Sequence, residues 1–367
     1  MLTKKANPLR VIKNIYLSRN EPISLVHFIT NKCNARCSFC FIDFDDPEIF
    51  KGELTLEEID TLTKNLGNSL LNVNLTGGEP FTRKDITEIA KLYIKNSTIQ
   101  SIYITTNGSL PKRVEEFARE ISSINDQIEL CFQISIDDFP DKHNTVRKIP
   151  ELFEKCIDTY KRLISLNLPN VNPVVSITVS HENCENIEEI FNYFHYDRKI
   201  DSIKCCIVRD EGVYEIPLEK KQMIFKAYSW LTNKILKLSE EGGIKNYNFK
   251  SLQGRLHNKK DKISWDIISK TYMNPQYLSP CHAGGLFGII SADGLIYPCE
   301  ILEDKVLGNL RDNEMNFMKI WNNQSTLDAK KFIHESKCNC TYECALSYNI
   351  LGNLRYSPSL FKAAINN

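Results

Sequence analysis

The feature that most constrains the fold is a repeated alternation of apolar strands and amphipathic helices between residues 23 and 214. Consecutive strand–helix units produce parallel strands joined by right-handed crossovers. Eight such units would close a full barrel, so six predict an α/β fold with an open, partial (β/α)6 barrel. The six predicted strands are Ile23–Thr30, Leu71–Leu75, Ile102–Thr105, Ile128–Ile136, Val174–Ser180 and Ile203–Val208.

A cysteine-rich loop follows the first predicted strand. The stretch T-N-K-C-N-A-R-C-S-F-C places Cys33, Cys37 and Cys40 at the spacing C-x3-C-x2-C. Thiolates gathered this closely suit soft metal centres, either zinc or iron–sulfur. Structural zinc sites and ordinary cubanes take four protein ligands, so three cysteines would leave one iron of a [4Fe–4S] cluster open to an outside ligand. The alternatives are a zinc knuckle and three unrelated core cysteines.

This loop resembles the cluster loop of radical S-adenosylmethionine (SAM) enzymes. The resemblance implies that the open iron binds the amino and carboxylate groups of SAM. It also implies that the reduced cluster cleaves SAM to methionine and a 5′-deoxyadenosyl radical, which removes hydrogen from a substrate. An external electron donor such as flavodoxin or ferredoxin is implied as well. Phe39, directly before Cys40, occupies the family position that lies near the adenine.

Two further motifs follow the second and third predicted strands. Gly77-Gly78-Glu79-Pro80 resembles the family's G-G-E motif, in which glycines allow close backbone approach and the Glu receives the ammonium of SAM. Thr106 and Asn107, in T-T-N-G, follow the third strand, although Asn-Gly is also an ordinary turn dipeptide. The resemblance implies that both turns contact SAM.

The later strands end in polar residues with less specific signals. Ser135 and Asp137 lie where relatives hydrogen-bond the ribose of SAM, and a carboxylate suits vicinal hydroxyls. His143 and Arg147 resemble a loop often found after this strand, and for His143 we expect a helix-capping or surface role. Arg209, after the sixth strand, is expected to reach the SAM carboxylate or to form a surface ion pair.

A second group of cysteines lies near the end of the sequence. The arrangement Cys281-x12-Gly294-x4-Cys299 resembles the first half of the SPASM/Twitch pattern, which holds auxiliary [4Fe–4S] clusters. The intervening residues predict a β-hairpin with an Asp-Gly turn, which would bring its flanking cysteines together. The remaining thiols depart from the full SPASM pattern, so one auxiliary cluster is expected, with a zinc ribbon as the alternative. They are Cys338, Cys340 and Cys344.

Charge and composition limit the classes of partner. Lys+Arg and Asp+Glu are both 46 and the pI is near 7.0, so no overall charge favours nucleic acid. The 13 cysteines are clustered in a chain of 367 residues with no signal peptide or membrane-spanning run, which predicts a reduced, cytoplasmic metalloprotein without a membrane role. The basic run His257–Lys262 is expected to be a solvated loop.

We predict a lead-in over 1–22, the barrel over 23–214, a helical bridging segment over 215–280 and a SPASM/Twitch-like domain over 281–367.

These features predict a radical SAM enzyme whose auxiliary cluster assists oxidation or positions the substrate. The substrate is expected to be a small polar metabolite such as a sugar or aminocyclitol, because the 32 residues before Cys33 cannot hold a peptide-recruiting module. The alternative is a SPASM-type peptide maturase that oxidises or crosslinks a ribosomal peptide. Alternatives from other classes are an iron–sulfur electron carrier and a zinc-binding protein.

Overall fold

The computed structural model of the protein describes residues 4–209, 216–245 and 252–365. The expected boundary between the barrel and the bridging segment, at residues 214 and 215, lies outside these ranges. Within them, no helix is both long enough and apolar enough to cross a lipid bilayer.

A single sheet organises the described residues, with strand order β6-β5-β4-β3-β2-β1-β7-β8-β9. All neighbouring pairs from β6 to β7 are parallel, while β7-β8 and β8-β9 are antiparallel. The six parallel strands expected from the sequence are therefore confirmed, each within three residues of its predicted ends. The strands are β1 Ser24–Thr30, β2 Asn72–Gly77, β3 Ser101–Thr106, β4 Glu129–Ser135, β5 Val171–Val179, β6 Ile203–Ile207, β7 Phe287–Ile290, β8 Leu295–Tyr297 and β9 Gly308–Asn309.

Helices pack against both faces of this sheet, since Tyr348 Oη donates to Asn72 Oδ1 on the more polar face at 3.2 Å. In chain order they are α1 Pro8–Lys13, α2 Leu56–Lys64, α3 Ile86–Asn96, α4 Pro111–Ile124, α5 Pro140–Arg147, α6 Leu152–Ser165, α7 Ile187–Asn192, α8 Leu218–Glu240, α9 Leu252–Thr271, α10 Phe317–Trp321, α11 Gln324–Glu335, α12 Glu343–Leu351 and α13 Ser357–Ile365. Thr55 and Glu58 form a capping box at the start of α2, each side chain accepting the other's backbone N–H.

The two faces of the parallel strands differ in polarity. In β3, Ile102 and Ile104 are fully buried, whereas Tyr103 and Thr105 between them are only partly buried. Apolar side chains of the first kind form the main core with helices α2 to α7. The opposite face of the sheet is more polar. The candidate site lies on this face, at the carboxyl ends of the parallel strands.

The predicted hairpin is present as β7 and β8. Its turn closes with Gly294 N–H donating to Ser291 O at 3.1 Å, and Gly294 has φ of +91°. β7 continues the barrel sheet, because it pairs in parallel with β1 from Ser24↔Phe287 to His27↔Ile290. We call the part of the chain from residue 281 onward the auxiliary region. Its first strand, β7, pairs directly with the first strand of the barrel.

Two predictions about the loops are wrong. The run His257–Lys262 lies inside α9, and the side chains of Lys260 and Asp261 are only 15% and 16% exposed. These two residues form an ion pair at 3.0 Å, which lowers the cost of burying a charged run. The stretch after β4 is the helix α5, and His143 within it is buried, so of its two expected roles the surface one is wrong. His143 Nδ1 instead accepts from the backbone N–H of Asp137, just before this helix, at 3.3 Å.

Candidate functional site

One cavity of about 280 Å³ lies at the carboxyl ends of the parallel strands. This is the edge at which α/β folds place their ligands. Residues from five successive strand ends contribute to its wall, namely Gly77, Thr106, Ser135, Thr178 and Arg209. Residues 341–344, near the C-terminal cysteines, complete the wall. The cavity therefore joins the two regions that carry the cysteine motifs.

The cysteine loop forms one side of the cavity. Cys33, Cys37 and Cys40 all line it, together with Phe39. The backbone N–H of Ala35 donates to Cys33 Sγ at 3.3 Å, and burial raises the pKa of the Cys33 thiol to about 11. The loop therefore directs its three thiols toward the same partly enclosed cavity.

The glycines of the G-G-E-P turn let β2 pass directly over this loop. Gly78 N–H donates to Thr30 O and Glu79 N–H donates to Lys32 O, both at 2.9 Å. A Cβ on Gly77 would lie 1.9 Å from Thr30 O, and one on Gly78 would lie 2.3 Å from Lys32 O. Only a residue without a side chain fits at either position.

The carboxylate of Glu79 is used inside the protein. Its Oε1 accepts from Phe81 N–H at 3.1 Å and Thr106 Oγ1 at 2.8 Å, and its Oε2 accepts from Asn107 N–H at 2.6 Å. Glu79 is fully buried, and this burial raises its pKa to about 7. The side chain ties the turn after β2 to the turn after β3, and the cavity-facing part of the motif is its glycines. Pro80 is also buried outside the wall of the cavity.

The T-T-N-G turn is tied to the cysteine loop as well. Asn107 Nδ2 donates to Asn34 Oδ1 at 2.8 Å, and Asn34 Nδ2 donates to Ser109 Oγ at 2.9 Å. Thr106 and Asn107 nevertheless line the cavity. Contacts of these residues with SAM stay predictions.

Ser135 and Asp137 have different surroundings, although both follow β4. Ser135 lines the cavity. Asp137 is buried behind it, where Oδ1 accepts from Thr178 N–H at 2.9 Å and Oδ2 accepts from Arg147 Nη2 at 2.6 Å. The role of Asp137 in this structure is to bind Arg147, whose guanidinium does line the cavity.

Arg209 lies at the junction between the barrel and the auxiliary region. Its guanidinium pairs with Glu300 and lies over the rings of Phe41, at 4.7 Å, and Tyr342, at 4.5 Å. It is therefore held in an ion pair in the cavity wall rather than on the outer surface. The expected contact with the SAM carboxylate stays a prediction.

The auxiliary cysteines lie close together behind Arg209. Cys281 and Cys338 share a hydrogen bond, and Cys281 interacts electrostatically with Cys299 and Cys340. Cys344 interacts with the latter two thiols and also lines the cavity. Cys299 is buried next to Ile23 and Phe287 in a second apolar cluster. The hairpin thus brings its two flanking cysteines together, as the sequence predicted.

Both thiol groups fit iron–sulfur clusters by donor chemistry. In the described residues no three ligating side chains are arranged around a single ion. A four-iron cluster, however, keeps its cysteine sulfurs farther apart than one ion does. Three thiols lining an open cavity suit the cluster that keeps one iron free. The five C-terminal thiols, of which Cys344 also lines the cavity, are enough for the four ligands of a second cluster.

Two further side chains belong to the wall of the cavity. Glu343, at the start of α12, accepts from Ile207 N–H at 3.3 Å and Tyr228 Oη at 3.1 Å, and burial raises its pKa to about 7. Cys206 lines the cavity while its neighbour Cys205 is buried, as opposite faces of a strand require. The alternation of β6 predicts that only one of these cysteines faces the cavity, but the sequence carries no signal for Glu343.

Two family models match the chain. Residues 28–194 match the radical SAM superfamily, and residues 281–345 match SPASM, an iron–sulfur cluster-binding domain. Together they cover more than half of the sequence, in the order that the fold displays. The chain belongs to the radical SAM superfamily. The expected cofactors, SAM and iron–sulfur clusters, follow from these two domains.

Curated relatives of this radical SAM protein include one named for peptide maturation. The sporulation killing factor maturation protein SkfB of Bacillus subtilis is 24% identical over 295 residues, which cover 80% of this chain and 64% of SkfB. The chain thus spans less than two thirds of that relative. The AdoMet-dependent heme synthase of Methanosarcina barkeri is 26% identical over 337 residues, 88% of each chain.

Solved structures of the same fold are also similar. Native anSMEcpe with bound AdoMet aligns with a TM-score of 0.63 at 18% identity, covering 94% of this chain and all of that one. SuiB of Streptococcus suis bound to S-adenosylmethionine aligns with a TM-score of 0.56 at 17% identity, covering 88% of this chain and 71% of that one. These likenesses establish the fold, a partial radical SAM barrel with a C-terminal SPASM domain.

Proposed function

We propose that the protein is a radical SAM enzyme that modifies a peptide. The observation that carries the proposal is the shared cavity, whose wall includes both Cys33, Cys37 and Cys40 and residues 341–344 of the auxiliary region. A substrate in this cavity would lie between the two predicted clusters. Such a position suits an oxidation in which a hydrogen atom is removed on one side and an electron leaves on the other.

The residues of this chain would bind and orient, while the cofactors supply the difficult chemistry. Cys33, Cys37 and Cys40 would hold the first cluster, and four of the five C-terminal cysteines would hold the second. When bound, the first cluster would supply the electron that cleaves SAM, and the resulting 5′-deoxyadenosyl radical would remove hydrogen from the substrate. Gly77 and Gly78 line the cavity, so their backbone groups would be available to SAM.

The walls of the cavity favour an amino-acid side chain over a sugar. The segment after Cys40 contributes Phe41, Ile42 and Phe44, and Tyr342 faces it from the auxiliary region. A sugar or aminocyclitol carries several hydroxyls that need hydrogen-bond partners once they leave water. Glu79 and Asp137 lie outside the wall and accept from protein donors. Glu343, the carboxylate in the wall, accepts from Ile207 N–H and Tyr228 Oη.

The comparisons support the peptide maturase alternative more than the small polar metabolite. SkfB is named as a maturation protein, anSMEcpe has been solved with a bound Cp18Cys peptide, and SuiB with its precursor peptide SuiA. These substrates belong to those proteins. For this chain they support a peptide as the substrate class, with flavodoxin or ferredoxin as the proposed electron donor.

The test is stimulated SAM cleavage by the anaerobically reconstituted protein. Short peptides encoded beside its gene would be compared with a panel of sugars and aminocyclitols, with 5′-deoxyadenosine and peptide mass as the readouts. We expect a peptide to stimulate 5′-deoxyadenosine formation and to change in mass, with the Cys40→Ala variant inactive as the control. Stimulation by a sugar or aminocyclitol, with no effect of any peptide, would replace the peptide by a small metabolite.

A further inference from the structure

Arg147 brings a permanent positive charge to the sulfur of Cys37. Its Nη1 lies 3.8 Å from Cys37 Sγ, within hydrogen-bond reach of a sulfur acceptor. The guanidinium also lies over the ring of Phe39 at 5.5 Å, and Arg147 as a whole is only 6% exposed. The charge is therefore held in a largely buried place, where water screens it weakly.

The position of Arg147 is fixed from several sides. Asp137 Oδ2 accepts from its Nε at 2.8 Å and from its Nη2 at 2.6 Å. Asp137 is in turn held by Thr178 N–H, at the end of β5. The backbone of α5 is bonded to the cysteine loop, with Arg36 N–H donating to Arg147 O at 3.2 Å and Ser38 N–H donating to Val146 O at 3.3 Å. The N–H to sulfur contact is thus built into the fold.

This arrangement argues against Arg147 as an anion-binding residue for SAM or substrate. Two of its three nitrogens donate to Asp137, and the third faces Cys37. Moving the guanidinium to an outside carboxylate would leave Asp137 as a buried charge without its partner, which is costly. The remaining partner of Arg147 is Cys37 Sγ, on which its positive charge and its N–H group act directly.

We propose that Arg147, positioned by Asp137, raises the reduction potential of the cluster held by Cys33, Cys37 and Cys40. In the step concerned, the cluster takes one electron from a low-potential one-electron donor, and no bond or proton is exchanged. The added electron increases the negative charge on the cluster and its sulfurs. A cation that donates an N–H to one of these sulfurs stabilises the reduced form more than the oxidised form.

The proposal rests on the proposed SAM cluster but not on the substrate being a peptide. Its test is an equilibrium redox titration of the reconstituted protein without SAM, with dithionite as the reductant and electron paramagnetic resonance as the readout. The signal of this cluster is the one that changes when SAM is added and that is lost in a Cys33, Cys37 and Cys40 triple alanine variant. If that variant loses no signal, the proposed function itself is wrong.

Three variants and one control separate the contact from other effects. Arg147→Gln removes the charge and the donor, and Asp137→Asn/Arg147→Gln does so without leaving a buried carboxylate unpaired. Arg147→Lys keeps the charge with a single nitrogen. Arg36→Gln is the matched control, because Arg36 is a cation on the same loop that donates to the carbonyls of Cys33 and Ala35 and lies over Phe44 at 4.2 Å.

Arg147→Gln should lower the equilibrium constant for one-electron reduction by about tenfold, a shift of about 59 mV to lower potential. The double variant also removes the opposing charge of Asp137, so it should lower the constant less, but by more than twofold. Arg147→Lys should fall between Arg147→Gln and the wild type, and it is the variant to measure if the neutral ones do not retain the cluster. Arg36→Gln should change the constant less than twofold. A double variant within twofold of wild type, an equal shift in Arg36→Gln, or weaker SAM binding at an unchanged potential would each overturn the proposal.

Discussion

Gly78→Ala is the substitution that should most selectively damage the SAM-cluster side of the molecule. The new Cβ would lie 2.3 Å from Lys32 O and 2.7 Å from Asn31 O, in the backbone of the cysteine loop. Carbon and carbonyl oxygen do not approach closer than about 3 Å, so the turn and the loop must separate by several tenths of an ångström or more. Gly78 has no positive φ, so the effect is steric and not conformational.

The cost can be worked out from the contacts that would be lost. Overpacking of a well-packed site costs about 1–3 kcal/mol. The separation also weakens two backbone hydrogen bonds, Gly78 N–H to Thr30 O and Glu79 N–H to Lys32 O, each worth about 0.5–1.5 kcal/mol. We therefore expect Gly78→Ala to lower the free energy of unfolding by roughly 2–6 kcal/mol.

The assay combines urea unfolding of the metal-free protein with iron analysis after reconstitution. Gly243→Ala is the matched control, because it is the same chemical change at a glycine without positive φ whose nearest neighbour, Leu238, would lie 3.4 Å from the new Cβ. Gly78→Ala should be much less stable than this control, and it should lose the iron of the first cluster while keeping that of the second. Equal stability and equal iron in the two variants would refute the steric argument.

Three further predictions concern the clusters and the core. Alanine at Cys33, Cys37 or Cys40 should abolish formation of 5′-deoxyadenosine from SAM, whereas the buried Cys184→Ala should not; wild-type activity in any of the three would contradict the assignment. The reconstituted protein should hold about eight irons per chain, and about four in the triple variant of the loop; a total near four would indicate zinc or no metal at the second site. His27 is fully buried against Tyr93, and this burial lowers its pKa to about 3. Between pH 6.5 and 3 the imidazole therefore takes up a proton only in the unfolded chain, so the folded protein loses stability as the pH falls through this window. Unfolding by urea at pH 7.5 and 5.5 should therefore show that His27→Gln loses about 1.4 kcal/mol less than wild type on acidification, and equal losses would contradict the shift.

The sequence predicts the parallel strands and the position of the site well, for a local reason. Apolar, β-branched runs such as Val174–Val179 identify buried strands, and motifs that directly follow such strands must meet at one edge of a parallel sheet. The cavity at that edge contains the loop cysteines, the glycines of the turn after β2 and Ser135. The position of these features depends only on which residues follow each strand, so the sequence is sufficient to predict it.

Side-chain partners could not be predicted, because they depend on tertiary neighbours. Glu79 was expected to face SAM, but the donors that hold it come from the turn after β3. Asp137 was likewise expected to face the ribose, and its partner is an arginine on a helix that the sequence analysis read as a loop. The prediction of a solvated loop for the charged run 257–262 fails for a related reason. The ion pair between Lys260 and Asp261 allows this segment to be helical and largely buried.

The parallel pairing of β1 with β7 has a consequence for how the protein is made. β1 is synthesised early, yet one of its two edges is completed only by residues 287–290. Until these residues leave the ribosome, the strand that leads to the cysteine loop has unpaired N–H and C=O groups open to other chains. The first cluster loop therefore reaches its final support only after the hairpin of the second cluster exists. A nascent chain truncated before the hairpin should aggregate, and we expect both metal centres to mature after synthesis of the barrel is finished.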